Sequence, residues 1–163
     1  MNPTEIGNFE GKPHPRDLKL TRTLTASREL VFEVFTKAEH LVNWWAPGGF
    51  TMPSCEVDLR PGGDWKYTFR SPEGWEHHCH AKYLEVDPPK RIVMTQEVPD
   101  QDGKPIFRIK HTVTFEERDG TTEVVLEAKV LLANPGSEPY LAGMKEGTNQ
   151  TLDNLVKYVA KIR

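Results

Sequence analysis

The sequence predicts an α+β fold: one curved antiparallel sheet of about seven strands wrapped around a long C-terminal helix, with two short helices after the first strand. Three observations carry this. Between Leu18 and Leu132, apolar and polar residues alternate in a series of short segments. Those segments are joined by tight turns such as Pro61-Gly62-Gly63 and Asp119-Gly120. From Tyr140 to Lys161 the apolar spacing changes to that of a helix. Period two belongs to a half-buried strand and period 3.6 to a helix with one apolar stripe.

The chain has 163 residues, which suits one domain with a sizeable core. Residues 1–17 are rich in Pro, Gly and charge and have no period, so they are expected to form a flexible lead-in. Residues 18–163 are expected to form the domain.

In "LKLTRTL", Leu18, Leu20 and Leu24 share one face, against Lys19, Thr21 and Thr23. Arg22 falls on the leucine face. It either reaches water from a strand edge or places a charge toward a pocket. Ser27 is placed to cap a short helix whose stripe is Leu30, Val31, Val34 and Phe35, with Glu29 in its first turn. "KAEHLVNWW" fits a second short helix, ended by "APGGF". "SCEVDL" sets Cys55, Val57 and Leu59 on one face, and "DWKYTFR" does the same with Trp65, Tyr67 and Phe69. "RIVMTQEV" follows, ending at the loop "PDQDGKP". "RIKHTVTFEER" and "TTEVVLEAKVLL" flank the Asp119-Gly120 hairpin. The last helix carries Leu141, Met144, Leu155, Val159 and Ile162 on one stripe, with Thr148 and Thr151 or Leu152 between. A sheet holding a helix in this way can leave a pocket between the two.

The formal net charge of -3 gives no footprint for nucleic acid and no polybasic patch for a membrane surface. No apolar run is long enough to span a bilayer, and the N-terminal stretch lacks the apolar centre of an export signal. With Cys55 and Cys79 its only cysteines, the chain is expected to be cytoplasmic with free thiols.

"GWEHHCHAKYLEV" concentrates His77, His78, Cys79 and His80. Alternation puts Trp75, His77, Cys79, Ala81 and Tyr83 on one face and His78, His80 and Lys82 on the other. Leu84 and Val86 then fall on the wrong parity, which a bulge between Tyr83 and Glu85 repairs. His78 and His80 have a spacing that one metal ion could use, but the sequence places no third ligand across from them, and no metal or other cofactor is expected. His77, Cys79 and His111 face inward if this side packs. They are then either satisfied core residues or polar anchors for a ligand. A Cys79 nucleophile with His77 or His111 as base would need a depressed thiol pKa and an oxyanion hole, and nothing in the sequence supplies either.

Four stretches in order, "CEVDLRPGGDWKYTFRSPEG", "YLEVDPPKRIVMT", "HTVTFEERDGTTEVVL" and "GMKEGTNQTLDNLVKYV", together with "WWAPGGF", resemble the activator-of-Hsp-90-ATPase-like branch of the START-like (SRPBCC, helix-grip) superfamily. The resemblance covers Leu18 to Ile162. It implies the helix-grip fold and, for many members, an apolar ligand held between sheet and final helix. Others activate chaperones, and a few are enzymes. The family usually has tryptophan near position 148. Thr148 stands here, which removes a large apolar plug where helix and sheet meet.

The function expected is the binding of a small apolar or aromatic molecule by Trp65, Tyr67, Phe69, His77, Cys79, Met94, His111, Phe115 and Met144. The alternatives are a chaperone-directed interaction module, and an enzyme that would use His111 or His77 as acid or base. Gly143 and Gly147, one turn apart, either loosen the first half of the helix or let it approach the sheet closely.

Overall fold

The computed structural model of the chain describes residues 5–163. Its elements run β1 (Gly7–Asn8), β2 (Leu18–Leu24), α1 (Arg28–Thr36), α2 (Ala38–Leu41), β3 (Thr51–Val57), β4 (Asp64–Arg70), β5 (Glu76–Asp87), β6 (Arg91–Pro99), β7 (Pro105–Arg118), β8 (Thr121–Ala133) and α3 (Glu138–Ile162). β3 to β8 pair in sequence order, each antiparallel to the next. The far edge of β8 is shared. β2 takes Thr122 to Ala128, and the two-residue β1 takes Leu132 and Ala133. The sheet and its long final helix match the helix-grip architecture of the predicted fold.

Alternation decides which face is covered. In β7, Phe107, Ile109, His111, Val113 and Phe115 are buried, while the residues between them are half-buried on the outer side. β8 answers with Val124, Leu126, Ala128 and Val130. The Asp119-Gly120 turn joins these strands with both residues at positive φ, 51° and 80°, as a two-residue hairpin of matching twist requires. The bulge expected in β5 is present. Tyr83 pairs with Met94 and Glu85 with Val93, so Leu84 is left over, 48% exposed. β3 has a similar irregularity between Thr51 and Ser54, around Pro53, and forms one edge of the sheet.

Helix α1 starts where Ser27 Oγ accepts from the Leu30 N–H at 3.2 Å. It closes one end of the concave face through Phe32 and Phe35, whose rings meet Phe115 edge-on at 5.3 and 5.6 Å. Trp44 fills the corner behind it and donates from Nε1 to the Val34 carbonyl. The second helix is shorter than its sequence suggests, because only Ala38–Leu41 is helical and Val42 to Trp45 continue as turns.

Helix α3 has 25 residues, about 38 Å at 1.5 Å per residue. Its buried residues are Leu141, Thr151, Leu152, Leu155 and Val159. Between Leu141 and Thr151 none is fully buried, so the helix grips the sheet by its C-terminal half and its first residues. A methyl group added at Gly143 or Gly147 would meet no atom within 4 Å. Close approach to the sheet therefore does not explain these glycines.

Five expectations are corrected here. Arg22 neither ends in water nor faces a pocket. Its guanidinium bonds Asp153 Oδ1 at 3.0 Å and Asn149 Oδ1 at 2.8 Å, tying β2 to α3. Leu59 lies beyond the end of β3 and Ile162 is the last residue of α3, and both are exposed. Trp75 precedes β5, in the turn, and is 71% exposed rather than inward.

The fifth is the lead-in. Met1 to Thr4 lie outside the described residues, but residues 5–17 are packed as a strap along β8. Phe9 is 7% exposed, and its N–H bonds the Leu131 carbonyl. His14 stacks edge-on against it at 4.5 Å and bonds the Glu5 carbonyl and the Arg16 N–H. Asp17 accepts from the Val130 N–H and from Lys129 Nζ, and Arg16 pairs with Glu138 at 2.6 Å. Two buried rings, Phe9 and His14, and the hydrogen bonds around them order a segment whose composition alone suggests none.

Two outcomes follow from this packing. Deleting residues 1–15 should lower the melting temperature by about 4 °C or more, since burying one Phe is worth about 1.5–3 kcal/mol. An unchanged thermal transition by circular dichroism would show that the strap contributes nothing. The double variant Gly143→Ala, Gly147→Ala should gain about 1–2 kcal/mol in chemical denaturation, because helix propensity improves with no clash. A loss of stability would contradict the open space around these positions.

Candidate functional site

Where the stripe of α3 is interrupted, a pocket of about 490 Å³ lies between the helix, strands β4 to β8 and the loop after Trp45. Each wall follows from the parity of an element. β4 contributes Tyr67 and Phe69, β5 contributes His77 and Cys79, and β7 contributes His111 beside Phe107 and Ile109. α3 contributes Tyr140, Leu141, Met144 and Thr148, with Gly143 and Gly147 adding no side chain. Trp45, Pro47 and Phe50 close the remaining side. No Asp, Glu, Lys or Arg lines the pocket.

Six of the nine residues expected at a ligand site are therefore brought together: Tyr67, Phe69, His77, Cys79, His111 and Met144. Trp65, Met94 and Phe115 are not on the wall. They share the concave face, and Phe115 packs at its α1 end against Phe32 and Phe35. Trp65 stacks between Trp45 and Tyr67 and donates to Cys55 Sγ at 3.3 Å. Met94 and Phe115 are core. Gln96 and Val98 were missed, although they continue the parity of Ile92 and Met94 along β6. Phe50 and Tyr140 were missed because they come from segments without strand periodicity.

The polar atoms of the wall form a short chain. Gln96 Nε2 donates to Tyr67 Oη at 2.7 Å, and Gln96 Oε1 faces His111 Nε2 at 3.1 Å. His111 is 5% exposed, and its Nδ1 is buried without a partner. Burial lowers its pKa from 6.5 to about 4, so the ring is neutral. Burial also pushes the Cys79 thiol up to about 11 and raises the Tyr67 hydroxyl well above its ordinary value. Cys79 Sγ donates to the His77 carbonyl, 3.8 Å away, and not to an imidazole. Nothing in this arrangement makes a thiolate. Thr151 is satisfied by the Trp45 carbonyl at 3.0 Å.

On the outer face the two other histidines are held separately. His78 Nδ1 bonds Thr68 Oγ1 at 3.0 Å. His80 Nε2 bonds Asp64 Oδ1 at 2.8 Å, a carboxylate the sequence reading did not place there. The bond from His80 holds the Asp64 carboxyl below its usual range. Among the described residues no group of three His, Cys, Asp or Glu is placed to hold a metal ion, and no helix is long and apolar enough to cross a membrane.

The buried His111 has a stability consequence. Its folded-state pKa is depressed, so below the ordinary value the unfolded chain takes up a proton that the folded one refuses. Stability should therefore fall as pH drops from 6.5 to about 4. The loss is on the order of 3 kcal/mol for a shift of this size. Chemical denaturation across that window should give a steeper fall for the wild type than for His111→Phe, and parallel curves would exclude a buried neutral ring.

Similarity to known proteins agrees with the fold. No curated protein matches the chain. Among solved structures, a Chromobacterium violaceum protein is 29% identical, with 89% of this chain and 97% of that one covered and a TM-score of 0.74. A Nitrosomonas europaea protein is 26% identical over 89% and 94%, with a TM-score of 0.75. The AHSA1 protein of Silicibacter pomeroyi, at 21% identity over 90% and 99% and a TM-score of 0.76, is alike in fold. This is a ligand-binding or interaction fold. The sequence pattern of the family described as "Activator of Hsp90 ATPase homolog 1-like protein" matches residues 25–160, well over half of the chain, and the chain belongs to that family.

Proposed function

We propose that the protein binds a small, uncharged apolar or aromatic molecule in the pocket beneath the N-terminal half of α3. The observation that carries this reading is the wall itself: about 490 Å³ of space bounded by aromatic and aliphatic side chains with no charged group. Ligand pockets commonly have this size and character. An ionised ligand would lose its hydration there without a counter-charge. Thr148, where the family resemblance leads one to expect a tryptophan, is consistent with that open space. Cys55 and Cys79 accord with work in the reducing cytoplasm. Both are free thiols and each stands opposite Tyr67 in a neighbouring strand, two strand spacings apart and beyond disulfide reach.

Nile red, a neutral dye, tests the reading. Titrated into the wild type, it should brighten at a stoichiometry of one and quench tryptophan emission, since Trp45 is on the wall. Phe69 is only half-buried, so Phe69→Arg should fold. That variant should bind at least about tenfold more weakly, because the guanidinium would be desolvated by the dye. Equal binding by the folded variant would place the dye elsewhere. A protein-directed role, the alternative that the family's description suggests, would leave the dye unbound.

A further inference from the structure

We infer that the ligand is a neutral molecule bearing a hydroxyl or N–H group, an aromatic alcohol in the simplest case, and that His111 Nδ1 accepts its hydrogen bond. This rests on the pocket being a binding site and adds to it the chemistry of the one group that orients the guest.

The polarity of the buried chain leads to it. Gln96 spends an N–H on Tyr67 Oη and presents its carbonyl oxygen to His111 Nε2. A carbonyl oxygen only accepts, so Nε2 carries the proton. In a neutral imidazole the other nitrogen is then a bare acceptor. That nitrogen is Nδ1, and it has no partner. The ring is part of the pocket wall, with Nδ1 lying just under its surface, so a guest reaches that nitrogen by parting the side chains over it. Burial keeps the ring from taking a second proton at neutral pH. A buried acceptor left unmet is costly, and a partner that supplies a donor recovers that cost on binding.

The other polar groups of the wall do not dictate a choice. Thr151 already donates to a backbone carbonyl. Thr148 is half-buried and His77 exposed, and each can serve as donor or acceptor. The thiol of Cys79 is a weak partner. His111 Nδ1 is the buried polar atom of the wall that makes no hydrogen bond at all. It favours a guest that donates, disfavours a ketone or ether that sets lone pair against lone pair, and rejects a carboxylate that finds no cation. The flat part of the guest has suitable walls, with Tyr67 edge-on to Phe69 at 5.1 Å and Phe107 tilted against Tyr140 at 5.6 Å.

The test is calorimetric titration of the full chain with naphthol, its methyl ether, the matching naphthyl methyl ketone and naphthoate. Naphthol should bind about tenfold or more tightly than the ether, as recovering one buried acceptor implies. The ketone should match the ether, and naphthoate should not bind. In His111→Phe the ether should bind as before and the preference for naphthol should vanish. Nitrogen-15 NMR of histidine-labelled wild type is independent of that variant's folding. The His111 Nδ1 signal should be that of an unprotonated nitrogen and should move with naphthol but not with the ether. Equal affinity for naphthol and ether overturns the inference and leaves the pocket reading intact. So does a preference for the ketone, or a naphthol preference that persists in folded His111→Phe. If neither the naphthyl compounds nor Nile red bind, both fail together.

Discussion

The structure depends on how α3 covers the concave face of the sheet. Five strands present apolar side chains to that face, and a single helix must keep water from them. Its C-terminal half does this with Leu152, Leu155 and Val159, helped by the bonds from Arg22 to Asn149 and Asp153. Its N-terminal half is held at Leu141 and, through Glu138, by Arg16 of the strap. Between these attachments the helix carries two glycines and Thr148 toward the sheet. The space beneath them is the pocket, so the same helix seals one part of the core and leaves another part unfilled.

An unfilled space in a protein interior costs dispersion contacts and, if lined by polar atoms, unmet hydrogen bonds. Here the polar atoms are nearly all paired among themselves. Tyr67, Gln96 and His111 stand on three strands, brought into line by the registers of β4 to β7. The chain leaves one nitrogen over. That economy separates this wall from an ordinary core defect, because an apolar cavity would need no such arrangement and a solvated cleft would not push a histidine's pKa down to about 4. The Tyr83–Glu85 bulge contributes from a distance: alternation alone keeps Cys79 and Tyr83 inward, and the bulge lets Val86 beyond them pack against the same core.

Much of this was legible in the sequence because it rests on local periodicity. The inner rows of β4 and β7, the Ser27 cap, the Asp119-Gly120 turn and the β5 bulge each follow from two to six adjacent residues. Six wall residues were found for the same reason. What escaped was set by contacts between distant segments. Phe9 and Asp17 are ordered only because β8 offers an edge to them. Arg22 looks misplaced until Asn149 and Asp153 are opposite it. Trp65, Met94 and Phe115 have the correct parity, but other side chains fill the space in front of them, which alternation does not reveal, and they are core. Gln96 was within reach, since its parity sets a polar residue in an apolar row.

The irregular edge strand β3 has a consequence of another kind. A sheet that ends in a straight, exposed strand offers its unpaired amides to any second chain, and copies can then stack edge to edge. β3 interrupts such pairing twice. Pro53 has no N–H to give, and the irregularity between Thr51 and Ser54 turns the backbone out of register. At high concentration this edge resists the strand-by-strand growth that leads to fibrils, so the large curved sheet can stay open at β3 without becoming a template.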